Sequence, residues 1–264
     1  MISLIFNENP ISRAYIALFR SLNIRFDEII ILNEKTYFPN KLKARIRFKD
    51  FNYWAIKFLK KKEFVDEAKK IEKYFHLNDN FLDFFYNFEE IFNCAEKITF
   101  LPTKSINSKI CEDYLNGSNL NTYLISHHEI VKKNILSINK SLIHIHPAYL
   151  PNIQGADGSL WSIYNENIMG VSSLYINENI DDGKIISREK INFPKLKLKS
   201  ISKDIKYLYR FWFCFVDPML RAFHLKNIIH NNFKIENIRN KDKGKYFTFM
   251  KEKDLIKTFE KILL

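Results

Sequence analysis

His144-Ile145-His146-Pro147-Ala148-Tyr149-Leu150-Pro151-Asn152-Ile153-Gln154-Gly155 is the stretch on which the reading of this chain turns. The apolar run Ser141 to Ile145 delivers two histidines at i and i+2. In a strand those positions point to one face. Pro147, Pro151 and Gly155 then force the chain into an irregular loop. Polar side chains where a strand gives way to a loop are where open α/β sheets carry out chemistry. Taken alone, H-x-H equally describes two histidines that cap a strand. The turn Asp181-Asp182-Gly183, which begins 35 residues after His146, supplies a carboxylate that the motif otherwise lacks.

Outward from this stretch the pattern alternates. Ile2–Phe6 reads as a first strand, and Pro10 opens a helix with Ile11, Ala14, Tyr15, Leu18, Phe19 and Leu22 on one side. Glu28–Leu32 reads as a second strand, which makes a βαβ unit and predicts a parallel sheet. Residues from about 36 to 95 interrupt the alternation with amphipathic helices carrying Trp54, Phe58, Phe64, Ala68, Ile71, Phe75, Phe81 and Phe85. This insertion either covers a substrate or packs on the sheet. Further strands are expected at Lys97–Leu101, Thr122–Ser126 and Ser141–Ile145. Helices are expected at Ile106–Leu115, closed by Asn116-Gly117, and at Glu129–Ser137. Asp157 is the expected cap of a helix to Asn165. Gly170–Ile176 and Lys184–Phe193 form an expected antiparallel pair. The aromatic run Ile201–Val216 predicts a helix buried in the core or in a homodimer interface. Asp217-Pro218 predicts the start of another helix, followed by a strand at Tyr246–Met250 and a helix at Lys253–Leu263.

Composition sets limits. With 264 residues, 46% of them hydrophobic, and 24 Phe, the chain can bury one large core or one core with an appendage. Only 6 Gly are present, and neither G-x-G-x-x-G nor a phosphate loop occurs. No apolar run approaches the ~18 residues of a membrane span, and the N-terminus lacks a basic segment and cleavage site, so a cytoplasmic protein is expected. Cys94, Cys111 and Cys214 are isolated and point to a reducing compartment. The net charge of +12 suits nucleic acid, a membrane surface or an anionic small molecule. The patterned aromatic and basic residues of an RNA-binding module are missing.

Thr122 to Arg188 resembles the formyltransferases that use 10-formyltetrahydrofolate, a family acting on glycinamide ribonucleotide, methionyl-tRNA and nucleotide sugars and including formyltetrahydrofolate hydrolases. The resemblance rests on His144-Ile-His146-Pro147-Ala148, Leu150-Pro151, Gly155, Trp161, Gly170-Val171-Ser172 and Ile180-Asp181-Asp182-Gly183, in order and at matching spacing. It covers about a quarter of the chain. His144 stands where the family has asparagine, and Ala148 where it usually has serine. The resemblance implies a Rossmann-like α/β fold with a mostly parallel sheet. The implied catalytic domain spans 1–195 and a C-terminal extension spans 196–264.

What the resemblance implies about the site follows residue by residue. His146 with Asp181 becomes the acid/base pair and oxyanion stabiliser, and His144 a second oxyanion donor in place of the amide. One such donor is worth ~3–4 kcal/mol. Asp182 or Glu129 could assist instead, Asp182 being more readily a solvated turn residue. The folate pocket would be lined by Ile125, His128, Ile130, Val131, Asn179 and Ile180. Ser12 and Arg13 at the first helix, with Gln154 and Gly155, would bind the amine substrate, a nucleotide-linked amino sugar being the first expectation. The same site with water would make a hydrolase, and the departures at His144 and Ala148 leave room for a non-catalytic binding protein. A metal site would need more ligands than H-x-H and Asp181, for which His127 and His128 are available; no metal is the expectation.

Overall fold

The apolar runs do become strands, and they join one sheet. The computed structural model describes residues 2–33, 62–126, 129–198, 204–231 and 244–264. The first five strands are β1 (Ser3–Phe6), β2 (Phe26–Leu32), β3 (Ala95–Leu101), β4 (Thr122–Ile125) and β5 (Ser141–His146). They lie parallel in the order β3-β2-β1-β4-β5. The expected antiparallel pair forms β7 (Met169–Tyr175) and β8 (Ile185–Ile191), which extend the sheet beside β5 to seven strands. Alternate residues of each central strand enter opposite cores. Leu4, Ile29, Ile31 and Leu124 face one, and Ile5, Ile30, Tyr123 and Ile125 the other. Both faces are therefore covered, as a parallel sheet requires, and each fully buried aliphatic side chain contributes roughly 1.5–3 kcal/mol.

The chain runs outward from β1 to β3 and then returns to β4 on the other side of β1. The carboxyl ends of β1 and β4 thus flank a crevice at the switch point. Helix α1 (Pro10–Ser21) starts there: the Asn9 Oδ1 accepts from the Ser12 amide at 2.8 Å, and its amide nitrogen donates to the Ser126 carbonyl at 3.0 Å. One cap residue therefore joins a helix start to a neighbouring strand end.

The described part of the insertion comprises α2 (Lys62–Tyr74), α3 (Phe81–Tyr86) and a 3₁₀ turn at Phe88–Asn93. Phe64, Ala68, Ile71, Phe75, Phe81 and Phe85 sit in the larger core, and α1 packs on α3. These helices cover the sheet; Trp54 and Phe58 lie outside the described residues. Helix α4 (Lys109–Gly117) begins at its Ser108 cap, later than expected, and Gly117 stays inside its last turn. The helix expected at Glu129–Ser137 is the single turn α5 (Lys133–Leu136). Next come β6 (Ile153–Gly155), which the periodicity did not reveal, and α6 (Gly158–Glu166).

The aromatic helix is α7 (Ile205–Phe211), which passes through a π turn at Trp212–Val216 straight into α8 (Asp217–His230). The break expected at Asp217-Pro218 does not occur, since Val216 and Asp217 both have helical backbone angles. Pro218 has no N–H for the carbonyl four residues back, and the wider π register accommodates that loss. Phe211, Trp212 and Phe215 are buried, which accounts for most of the run as core. The C-terminal strand shortens to β9 (Lys245–Phe247), which pairs parallel with β6, and α9 (Glu252–Ile262) follows. Leu196, Leu208, Phe215, Leu225 and Phe259 enter the same core as the parallel strands. The three cysteines are buried thiols; burial pushes each up to about 12, so they act as small apolar groups.

Two glycines test this packing. A Cβ on Gly170 would stand 2.2 Å from the Tyr149 backbone nitrogen, whereas one on Gly117 would meet open space. Gly170→Ala is expected to destabilise by about 1–3 kcal/mol through overpacking. Gly117→Ala should be neutral or stabilise by about 0.4–1 kcal/mol through chain entropy. Urea denaturation of both variants checks the pair.

Candidate active site

The carboxyl ends of β4 and β5 open onto two cavities that share a wall. The smaller, 160 Å³, is lined by Ile125, Ile130, Val131, Leu174, Ile176 and Ile180, with Glu129, Asn177 and Asn179 as polar groups. The larger, 370 Å³, has the aromatic residues Tyr209, Trp212, Phe213, Tyr246 and Phe249 on its walls. His144, Ile130, Ile180 and Asp181 belong to both. The side chains expected around a folate ring therefore do come together, apart from His128, which with His127 lies outside the described residues.

His146 is only 2% exposed and is held on both sides. Its Nε2 lies 2.9 Å from the Ile153 carbonyl oxygen, which only accepts, so the hydrogen sits on that nitrogen. Its Nδ1 lies 3.4 Å from Asp181 Oδ2. Nε2 is thus engaged by the loop backbone, and Nδ1 faces the Asp181 carboxylate. One donor atom from each of His144, His146 and Asp181 falls within 4.8 Å of the others.

Asp181 anchors the surrounding backbone. It sits at φ 52°, and its Oδ2 accepts from the Gly155 amide at 2.8 Å. Gln154 donates from Nε2 to the Asp181 carbonyl at 3.1 Å, so its side chain braces the turn. Burial opposes ionisation of Asp181. The facing His146 and His144, the Gly155 N–H and the Arg221 charge outweigh it and hold the carboxyl below its ordinary value. Asp182 is an exposed turn residue, as expected, and Glu129 is taken up by the Ser105 hydroxyl and the Ile106 amide.

His144 faces the shared wall. Burial first, then the positive charge of Arg221, pull it down to about 3; His146 adds to this, while Asp181 and the Ile125 carbonyl act in the opposite direction. The ring is thus neutral at physiological pH. A neutral imidazole keeps one N–H and one lone pair. His144 stands where the two cavities meet.

Ser12 and Arg13 are buried beneath the site. The Ser12 hydroxyl contacts the Asn7 carbonyl at 2.6 Å and the Ser126 hydroxyl, and Arg13 Nε donates to Glu8 at 2.6 Å. They brace the crevice wall, and neither is among the residues described as lining these two cavities. Gly155 does line the larger one. Ala148 contributes its carbonyl, which accepts from the Ser172 hydroxyl at 2.8 Å.

Several site residues were missed in the sequence. Asp157, expected as a side-chain cap, adopts φ 53° and instead accepts from the Tyr209 hydroxyl at 2.7 Å and the Met250 amide at 2.8 Å. Burial raises its carboxyl. Asp217 and Arg221, one turn apart on α8, pair at 2.8 Å and line the larger cavity. Only the i,i+4 spacing of opposite charges hinted at that pair.

An open, mostly parallel sheet of seven strands flanked by helices defines a Rossmann-like α/β protein. No protein-family model matches the chain. Among solved structures, its fold is similar to that of a sugar N-formyltransferase from Shewanella sp FDAARGOS_354, at 14% identity and a TM-score of 0.50, over 98% of this chain and 86% of that one. That similarity shows the Rossmann-like formyltransferase fold. Lower scores accompany a 4-N formyltransferase from Francisella tularensis (15% identity, 98% and 85% covered, TM-score 0.47). The same holds for phosphoribosylglycinamide formyltransferase from Streptococcus pneumoniae TIGR4 (12%, 88% and 98%, 0.45). Among the described residues no helix is long and apolar enough to cross a membrane.

The His144 environment has a measurable consequence. Unfolded, its imidazole takes up a proton below about pH 6.5; folded, it stays neutral until about 3. The unfolded state therefore binds more protons in that window, and stability falls as pH drops from 7 to 5. The wild type is expected to lose about 1–2 kcal/mol more over this interval than His144→Gln, read from urea midpoints at both pH values.

Proposed function

We propose that the protein transfers a formyl group from 10-formyltetrahydrofolate to the amine of a small acceptor, a nucleotide-linked amino sugar in the first instance. The observation that carries this reading is the meeting of the two cavities at His144 and Asp181. The smaller cavity is apolar on its broad walls with asparagines and Glu129 at its edge, which suits a flat heteroaromatic ring with polar substituents. The larger one offers aromatic faces to a sugar ring, and its carboxylates Asp157, Asp181 and Asp217 attract an ammonium group.

The chemistry follows from the groups at the junction. The amine nitrogen bonds to the formyl carbon, the bond from that carbon to the folate nitrogen breaks, and one amine proton ends on the departing nitrogen. No net proton is exchanged. The lone pair of His144 accepts from the amine N–H and aims the nitrogen at the carbonyl carbon. Asp181, held ionised, carries the proton from amine to leaving nitrogen. His146 fixes Asp181 from behind.

Incubation with 10-formyltetrahydrofolate, with and without a panel of amino-sugar nucleotides, tests this reading by release of tetrahydrofolate. Release is expected only with amine present; release without amine identifies hydrolysis, and no release refutes both. Asp181→Asn should lower kcat by about 10²–10⁴-fold while binding of tetrahydrofolate, followed by calorimetry, persists.

A further inference from the structure

Arg221 is 8% exposed, and it is the cation in the described wall of the larger cavity. Its Nε donates to Asp217 Oδ2 at 2.8 Å, and its Nη1 donates to the carbonyl of Ile145, the peptide between the two histidines. The other Asp217 oxygen accepts from the Ser159 hydroxyl at 3.2 Å, which in turn accepts from Trp212 Nε1 at 3.0 Å. On the other side lies the phenol of the fully buried Tyr15, which burial keeps protonated. Such a buried Arg–Asp pair adds little to stability, because apolar groups of the same shape would serve as well. What it positions must then explain it.

We propose that Arg221 is a positioning residue of the formyl-transfer site: through the Ile145 carbonyl it fixes the end of β5, and it sets a locked positive charge beside His144 and Asp181. Its kinetic consequence rests on the transfer reading above; its effect on His144 does not. Among the described residues, the charged and titratable groups around His144 come from several neighbouring elements. They are His146 on β5, Asp181 on the hairpin turn, Glu129 in the adjoining cavity wall, and Arg221 from α8 with Asp217 and Tyr15 behind it. Arg221 and His146 disfavour a proton on His144, and Asp181 favours one. Without the guanidinium one of the two leading causes that keep His144 neutral is gone, and Asp181 draws its midpoint upward from about 3 against the remaining effect of burial.

Histidine side-chain NMR from pH 4.5 to 8 tests this on the intact chain, with the His144 signal assigned by its loss in His144→Gln. In the wild type His144 should remain a single neutral tautomer across the range. In Arg221→Met its midpoint should rise by about one unit or more from about 3, so that its signal begins to titrate at the acid end of the range. Arg221→Gln, which keeps a donor for the Ile145 carbonyl but no charge, should show the same rise and stands in if the methionine variant does not fold. Arg221→Lys should keep His144 neutral. Turnover should fall about tenfold or more in the Met variant, which loses the donor to the Ile145 carbonyl, with KM for the formyl donor unchanged and partial recovery in Gln and Lys, which keep one. A His144 titration unaltered in both neutral variants overturns the proposal. A shifted titration in a protein that releases no tetrahydrofolate leaves the electrostatic role standing and refutes the transfer reading alone.

Discussion

The site depends on His146 being held between the Ile153 carbonyl and the Asp181 carboxylate. That single ring ties the end of β5, the loop that follows it and the turn of the β7–β8 hairpin. Asp181 extends the tie by accepting from the Gly155 amide. Gly155, at φ 95°, lets the Phe247 carbonyl come so close that a Cβ would stand 2.2 Å from it. This close approach admits β9 alongside β6. Elements far apart in sequence thus converge on one imidazole. His146 thereby acts as a strut, while His144 is the imidazole that both cavities share.

Local charge and total charge point in different directions here. The chain carries +12, which by itself favours anionic ligands. The larger cavity nevertheless presents three carboxylates and one guanidinium among its described residues. Field strength inside a recess is set by the nearest groups, because distant surface lysines are screened within about a Debye length of 8–10 Å. The cavity floor is therefore suited to the amine end of an acceptor, and a diphosphate would have to lie towards the rim. The buried Arg13, which seemed placed for phosphate, is already paired with Glu8.

The parallel sheet was legible because its strands are short, continuous apolar runs separated by helical periodicity, a pattern that burial on both faces imposes. The H-x-H strand end and Asp181 were legible as well, since their residue types and spacing are local facts. What could not be read were features created by distant pairing. Ile153–Gly155 has no strand pattern of its own and becomes β6 only because Lys245–Phe247 reaches it. Asp157 looked like a helix cap, but the Tyr209 hydroxyl and Met250 amide claim its carboxylate. The direction of the His146 hydrogen bond was equally hidden, because the Ile153 carbonyl that sets it is a backbone group.

The π turn shows why the missed C-terminal residues belong to the site. In a regular α-helix residues five apart diverge by about 140° around the axis. Trp212 and Asp217 are five apart, yet both bond the same Ser159 hydroxyl. A π turn closes i→i+5 bonds and stacks such residues on one face. The widening that Pro218 induces therefore brings Trp212 and Asp217 into register. With Arg221 one turn further on, the helix presents an aromatic ring, a carboxylate and a guanidinium to the same cavity. A helix break at Asp217-Pro218, the expectation from the dipeptide alone, would have turned Asp217 outward as a cap. The continuous helix turns it inward, where it holds the arginine against the peptide between the two histidines.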